Sequence, residues 1–142
     1  MTQNPFVDAA ATTPNTYAEN PEPRCPSLLL LDVSGSMQGD PVRQLQEGLA
    51  VYRDTLFADG LAKKRVEVGV MLFGGTVDLV TPFTTVDAFT APQLEVKGDT
   101  PMGQAIVEGL QYLENQKATY KQNGIAYYRP WVFLITDGAP TD

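Results

Sequence analysis

The sequence predicts an α/β domain, Rossmann-like and doubly wound, with a mostly parallel sheet covered by helices on both faces. Three observations carry this. Leu28–Leu31 and Trp131–Ile135 are short and wholly apolar, as strands buried on both faces are. Helical periodicity appears twice between them. The resulting order is strand, helix, hairpin, helix, strand, and such alternation favours parallel pairing. The 142 residues, 43% hydrophobic and 19% charged, amount to one domain with enough apolar material for a core.

Residues 1–26 hold Pro5, Pro14, Pro21, Pro23 and Pro26 and show no period, so an extended or disordered N-terminal arm is expected, with the domain over 27–142. Ser27–Asp32 is the first strand. The chain then turns to small and polar residues, Ser34 to Gly39. Asp40-Pro41 reads as an N-cap followed by proline at the first helical position. Val42, Leu45, Leu49, Tyr52 and Leu56 step by three and four, and Asp59-Gly60 ends that helix. Arg65–Phe73 is a strand with Val66, Val68, Val70 and Leu72 on one face and Met71 and Phe73 on the other. Gly74-Gly75 turns the chain into a partner strand, Thr76–Thr81. Pro82 and Pro92 break the next stretch, leaving room for one helical turn near Val86–Phe89. Thr100-Pro101 is a second cap-plus-proline start. Ile106, Leu110, Leu113 and Tyr120 make the buried stripe of that helix, and Asn123-Gly124 stops it. Arg129–Thr136 is the last strand, expected to be buried, and it runs into Asp137-Gly138.

Composition removes several chemistries. Lys plus Arg is 10 against 17 for Asp plus Glu, and a net charge of −7 lacks the footprint of a non-specific nucleic-acid binder. There is no histidine, which excludes Ser-His-Asp triads and His-ligated zinc. The lone Cys25 can form neither an intrachain disulfide nor a thiolate cage, and a reducing, cytoplasmic setting is the simple expectation. The first residues lack the basic cluster and apolar run of a secretory signal. The longest apolar runs are too short to span a bilayer, so no membrane association is expected.

In a doubly wound sheet, ligands bind beyond the carboxyl ends of the strands. Both apolar strands end there in an aspartate, Asp32 and Asp137, and both helices begin from polar loops at that edge. Asp32, Ser34, Ser36, Thr100 and Asp137 therefore converge as an all-oxygen set. Hard divalent cations want such a set, and Mg²⁺ takes six oxygens at ~2.0–2.1 Å, usually keeping several waters. Gly35 lets the backbone fold closely around an ion, and Gly138 lets the chain turn after Asp137. Two carboxylates neutralise a divalent ion without saturating it. Two helix N-termini, after Gly39 and Thr100, favour an anion nearby. The expectation is a site for Mg²⁺ (or Mn²⁺ or Ca²⁺) that recruits an external carboxylate.

Asp32-Val33-Ser34-Gly35-Ser36-Met37, Thr100 and Thr136-Asp137-Gly138, in this order, resemble the metal-ion-dependent adhesion site of von Willebrand factor type A domains. Pro21–Pro26, Thr100–Gly103 and Tyr127–Asp142 are similar to a bacterial cytoplasmic branch that includes proteins associated with tellurite resistance and stress responses. The resemblance covers about residues 20–142. It implies that Ser34 and Ser36 bind the ion directly, Thr100 directly or through water, and Asp32 and Asp137 through waters. It further implies that a partner protein supplies a Glu or Asp as the last ligand. The family sheet has six strands, the last two following the Thr-Asp-Gly strand. This chain would thus show strand order 3-2-1-4 and lack the last strands of the fold, with Trp131–Ile135 at an open edge suited to self-association or to a completing chain.

The leading expectation is a metal-dependent protein-binding module rather than an enzyme. One rival is a Mg²⁺-dependent phosphohydrolase with Asp32 as nucleophile. Such chemistry often wants a second acid two residues on, where Ser34 stands. Another rival is a structural subunit with a vestigial site, which would have lost a motif residue. Asp40 reads as a cap and Asp99 as a solvated loop charge. Asp142 receives no role, Cys25 reads as an inert thiol, and Lys63-Lys64-Arg65 as a solvated run.

Overall fold

Leu28–Leu31 lie at the centre of the molecule, none more than 4% exposed. The computed structural model describes residues 17, 19–137 and 141–142; residues 1–16 of the arm expected over 1–26, and Gly138, lie outside them. Strand β1 (Cys25–Asp32) pairs in parallel with β2 (Val66–Gly74) on one side and β4 (Trp131–Ile135) on the other. β3 (Thr76–Thr85) runs antiparallel on the far side of β2, giving the order β3-β2-β1-β4.

The alternation of side chains along β1 fixes where the helices go. Leu29 and Leu31 join Val68 and Val70 under Leu45 and Leu49 of α1 (Asp40–Ala58). Leu28 and Leu30 join Met71 and Phe73 under Ala105 and Leu113 of α3 (Met102–Gln122). Gly109 lets α3 approach: a Cβ there would sit 3.1 Å from the side chains of Leu28 and Leu30. A short helix α2 (Gly60–Arg65) links α1 to β2. No helix among the described residues is long and apolar enough to cross a membrane.

The structure departs from the sequence reading at several boundaries. β1 begins at Cys25, ahead of Ser27, and two residues of the expected arm pack on the domain: Tyr17 is buried and Arg24 wholly so. Gly39, at φ +88°, stands at the cap of α1, so Asp40 falls in the first turn, where it pairs with Arg43 at 2.7 Å. Asp59 ends α1 and also caps α2, accepting from the Leu61 and Ala62 amides at 3.0 Å. β3 runs through Pro82 to Thr85. An edge strand tolerates a residue with no N–H, and the ladder to β2 is irregular there. Leu110 is 53% exposed, because the buried stripe of α3 runs Ala105, Gly109, Leu113, Gln116 and Tyr120. β4, expected to be buried, is exposed along its whole length, since among the described residues it pairs on one side only.

At the amino ends of the strands sits a buried ion pair. Arg24 Nε donates to Glu67 Oε2 at 3.0 Å, and Gln116 and the Tyr120 hydroxyl donate to Glu67 Oε1 at 3.0 and 2.5 Å. Arg24 Nη1 also donates to the carbonyls of Asn20 and Glu22. The network ties the segment before β1 to β2 and to α3. Burial, with the Glu67 charge beside it, holds the Tyr120 phenol well above its ordinary range, so it remains a donor. Arg24→Met should therefore destabilise the chain by about 3–5 kcal/mol in chemical denaturation, because Glu67 is left buried without its cation. The double variant Arg24→Met/Glu67→Leu should recover most of that loss.

Candidate metal centre

The carboxyl end of β1 delivers Asp32, which is fully buried. Its Oδ1 accepts the Ser34 amide at 2.8 Å and its Oδ2 accepts the Thr136 hydroxyl at 2.5 Å. Beyond Asp32 the Val33 amide still donates to Phe73 O at 2.9 Å, and the chain then folds into a 3₁₀ turn over Gly35–Met37. The turn brings the Ser34 and Ser36 hydroxyls to 3.3 Å, and Ser36 Oγ donates to Asp137 Oδ1 at 3.1 Å. Asp32, Ser34, Ser36 and Asp137 are thus joined by successive hydrogen bonds, two buried and two exposed. β4 lies parallel to β1, which is why Asp137 arrives at the same end.

Thr100 reaches this end by another route. Lys97 N–H donates to Val33 O at 2.7 Å, Gly35 N–H to Gly98 O at 3.0 Å, and Gly75 N–H to Asp99 O at 3.0 Å. Three backbone segments therefore lie against each other, and only glycine allows it. Gly98 has φ +70°, and a Cβ on it would fall 2.4 Å from Gly75 Cα. Thr100 follows that loop and is buried at 6% exposure. Among the described residues no hydrogen bond links it to the other four. Nor do three or more Cys, Asp or Glu gather to hold a metal among the described residues. An ion at this end would rest on two carboxylates and on hydroxyls.

Three residues here were not singled out from sequence. Thr136 donates to Asp32, although it was quoted only as part of the Thr-Asp-Gly motif. Thr141 and Asp142 bind the start of α3. Pro101 occupies the cap position and makes no side-chain cap. Asp142 supplies one instead, its two oxygens accepting the Gly103 and Gln104 amides at 2.8 Å. Those bonds, the one from Gln104 foremost, hold its carboxyl below the ordinary carboxylate range. Thr100 is therefore not the cap, and the N-terminus of α3 is not open to an external anion as expected. It already holds a carboxylate of its own chain. An apolar groove of about 470 Å³ between α1 and β4, lined by Leu45, Tyr52 and Phe133 among others, also reaches Asp137.

Residues 27–139 match the family model of the von Willebrand factor type A domain, four-fifths of the chain, including Asp32, Ser34, Ser36, Thr100 and Asp137. The chain belongs to that family. A UPF0353 protein of Nocardia farcinica is 29% identical over 112 residues, covering 77% of this chain and 33% of the relative. The PilB minor pilin of Streptococcus sanguinis superposes with a TM-score of 0.58 at 16% identity, over 82% of this chain and 30% of its own. The ArnB paralog VWA2 of Sulfolobus acidocaldarius gives 0.56 at 15%, over 84% and 29%. The vWF domain of the type V pili tip protein Mfa5 of Porphyromonas gingivalis gives 0.56 at 18%, over 84% and 39%. These solved structures share the α/β fold of this type A domain, and the chain spans about a third of each of these four proteins.

The glycine contacts make the geometry testable. Gly74 has an ordinary backbone, yet a Cβ there would meet Val33 O at 2.6 Å. Gly74→Ala should cost about 1–3 kcal/mol by thermal melt, as overpacking does, whereas Gly60→Ala, with open space around it, should not destabilise.

Proposed function

We propose that this chain is a metal-dependent protein-binding module. In this reading Asp32, Ser34, Ser36, Thr100 and Asp137 hold Mg²⁺, with Mn²⁺ or Ca²⁺ as substitutes. The ion recruits a Glu or Asp carboxylate from a partner protein. One observation carries the reading. Asp32 is fully buried, and among the described residues neither Lys nor Arg pairs with it. A buried carboxylate is costly unless a cation balances it. Glu67, the other buried carboxylate among the described residues, has Arg24; a divalent ion would do the same for Asp32. The donors also fit: carboxylates and hydroxyls are hard oxygen ligands, as Mg²⁺ requires.

Ser34 and Ser36 would bind the ion directly. Thr136 and the Ser34 amide orient Asp32, which would act with Asp137 through waters. The minor pilin and the pili tip protein that share this fold agree with a protein partner. The motif text around residues 21–26, 100–103 and 127–142 suggests a partner within a bacterial stress or tellurite-resistance system. A hydrolase with Asp32 as nucleophile is disfavoured, because both carboxylate oxygens already accept hydrogen bonds and the residue has no exposure. The open edge of β4 suits pairing with a further strand.

Calorimetry should show Mg²⁺ binding to the chain, weakened about tenfold or more by Asp137→Ala and lost in Asp32→Ala/Asp137→Ala. Capture of an acidic partner should cease in EDTA. Unchanged metal affinity in the double variant would overturn the site, and metal-dependent phosphoester turnover abolished by Asp32→Asn would restore the enzyme reading. For the β4 edge, sedimentation should show association that Phe133→Lys reduces; a monodisperse monomer without dye-binding apolar surface would contradict it.

A further inference from the structure

Thr141 and Asp142 lie outside the proposed ligand set, yet they grip the segment that carries Thr100. The Thr100 amide donates to Thr141 Oγ1 at 3.0 Å, and the Thr141 amide donates back to Thr100 O at 2.9 Å. The Thr100 amide and carbonyl thus both bind Thr141, and the carbonyl also accepts the Met102 amide at 2.8 Å. Next to it, Asp142 accepts the Gly103 and Gln104 amides at 2.8 Å, fixing the first turn of α3. A helix cap alone needs only Asp142. The Thr141 pair acts ahead of the helix, which starts at Met102, and so contributes nothing to its ladder.

Thr100 is the member of the set that most needs such support. The other four are joined to one another by hydrogen bonds, and Thr100 is not, among the described residues. Its hydroxyl is therefore aimed by its backbone. Groups that orient a ligand commonly govern metal affinity nearly as strongly as the ligand itself. We propose that Thr141 and Asp142 are positioning residues, a clasp that sets Thr100 for the ion. The proposal rests on the metal-site reading above. It makes the loop after β4 responsible for two ligands at once: Asp137 directly, and Thr100 through Thr141.

The test compares Mg²⁺ affinity by calorimetry for Thr141→Val, Asp142→Asn and Thr141→Ser, each confirmed folded by its melt in EDTA. Thr141→Val and Asp142→Asn should each bind Mg²⁺ about tenfold more weakly. Thr141→Ser, which keeps the hydroxyl and the amide, should retain the wild-type value. In a Thr100→Val background the two weakening variants should have no further effect, because their route runs through Thr100. In metal-free protein the Thr100 amide should exchange faster in Thr141→Val than in wild type. Full Mg²⁺ affinity in Thr141→Val and Asp142→Asn would overturn the clasp and leave the metal site standing. An equal loss with and without Thr100 would also overturn it. Failure of the wild-type chain itself to bind Mg²⁺ would remove the metal reading and the clasp's role together.

Discussion

Four consecutive leucines that must all be dry govern this molecule. A strand with Leu28 and Leu30 on one side and Leu29 and Leu31 on the other can be satisfied only between two covering layers. That demand puts β1 in the interior of the sheet and sets α1 and α3 on opposite faces. It also places the first polar residue after the leucines, Asp32, where the dry strand ends. The buried carboxylate is thus a by-product of the core: the same burial that holds the leucines removes water from Asp32. The glycines at 74, 75 and 98 then allow two neighbouring loops to close over that end without side chains between them.

The two ends of the sheet treat buried charge in opposite ways. At the amino ends of the strands, Glu67 has a guanidinium, an amide and a phenol around it, a closed and neutralised set. At the carboxyl ends, Asp32 has an amide and a hydroxyl. Donors of that kind orient a carboxylate but do not cancel its charge. One end has the chemistry of a structural lock, and at the other no Lys or Arg among the described residues balances the buried carboxylate.

Much of this was legible in the sequence, and the losses have a common cause. Element order and the two-faced β2 follow from local periodicity and from the alternation of strands with helices, whereas the sheet order and the open β4 edge were implied by the family resemblance. The convergence of Asp32, Ser34, Ser36 and Asp137 follows from parallel strands. What local pattern could not supply was any relation across the chain. Asp142 caps a helix that begins forty residues earlier, so Thr100-Pro101 looked like a self-sufficient start. Thr136 donates to a carboxylate 104 positions away. Leu110 fits the helical step yet lies one residue round from the line that meets β1, because periodicity defines a stripe but not the direction in which it is pressed. Pro82 was read as a breaker because its neighbours do not reveal that the strand lies at an edge.

The exposed row on β4 includes the chain's single tryptophan, Trp131, at 59% exposure and stacked on Phe133 at 6.1 Å. An indole in that position is a built-in optical reporter. Its emission belongs to one strand and to no other part of the molecule. Whatever comes to lie along that strand would strip water from the ring and move the emission to shorter wavelength.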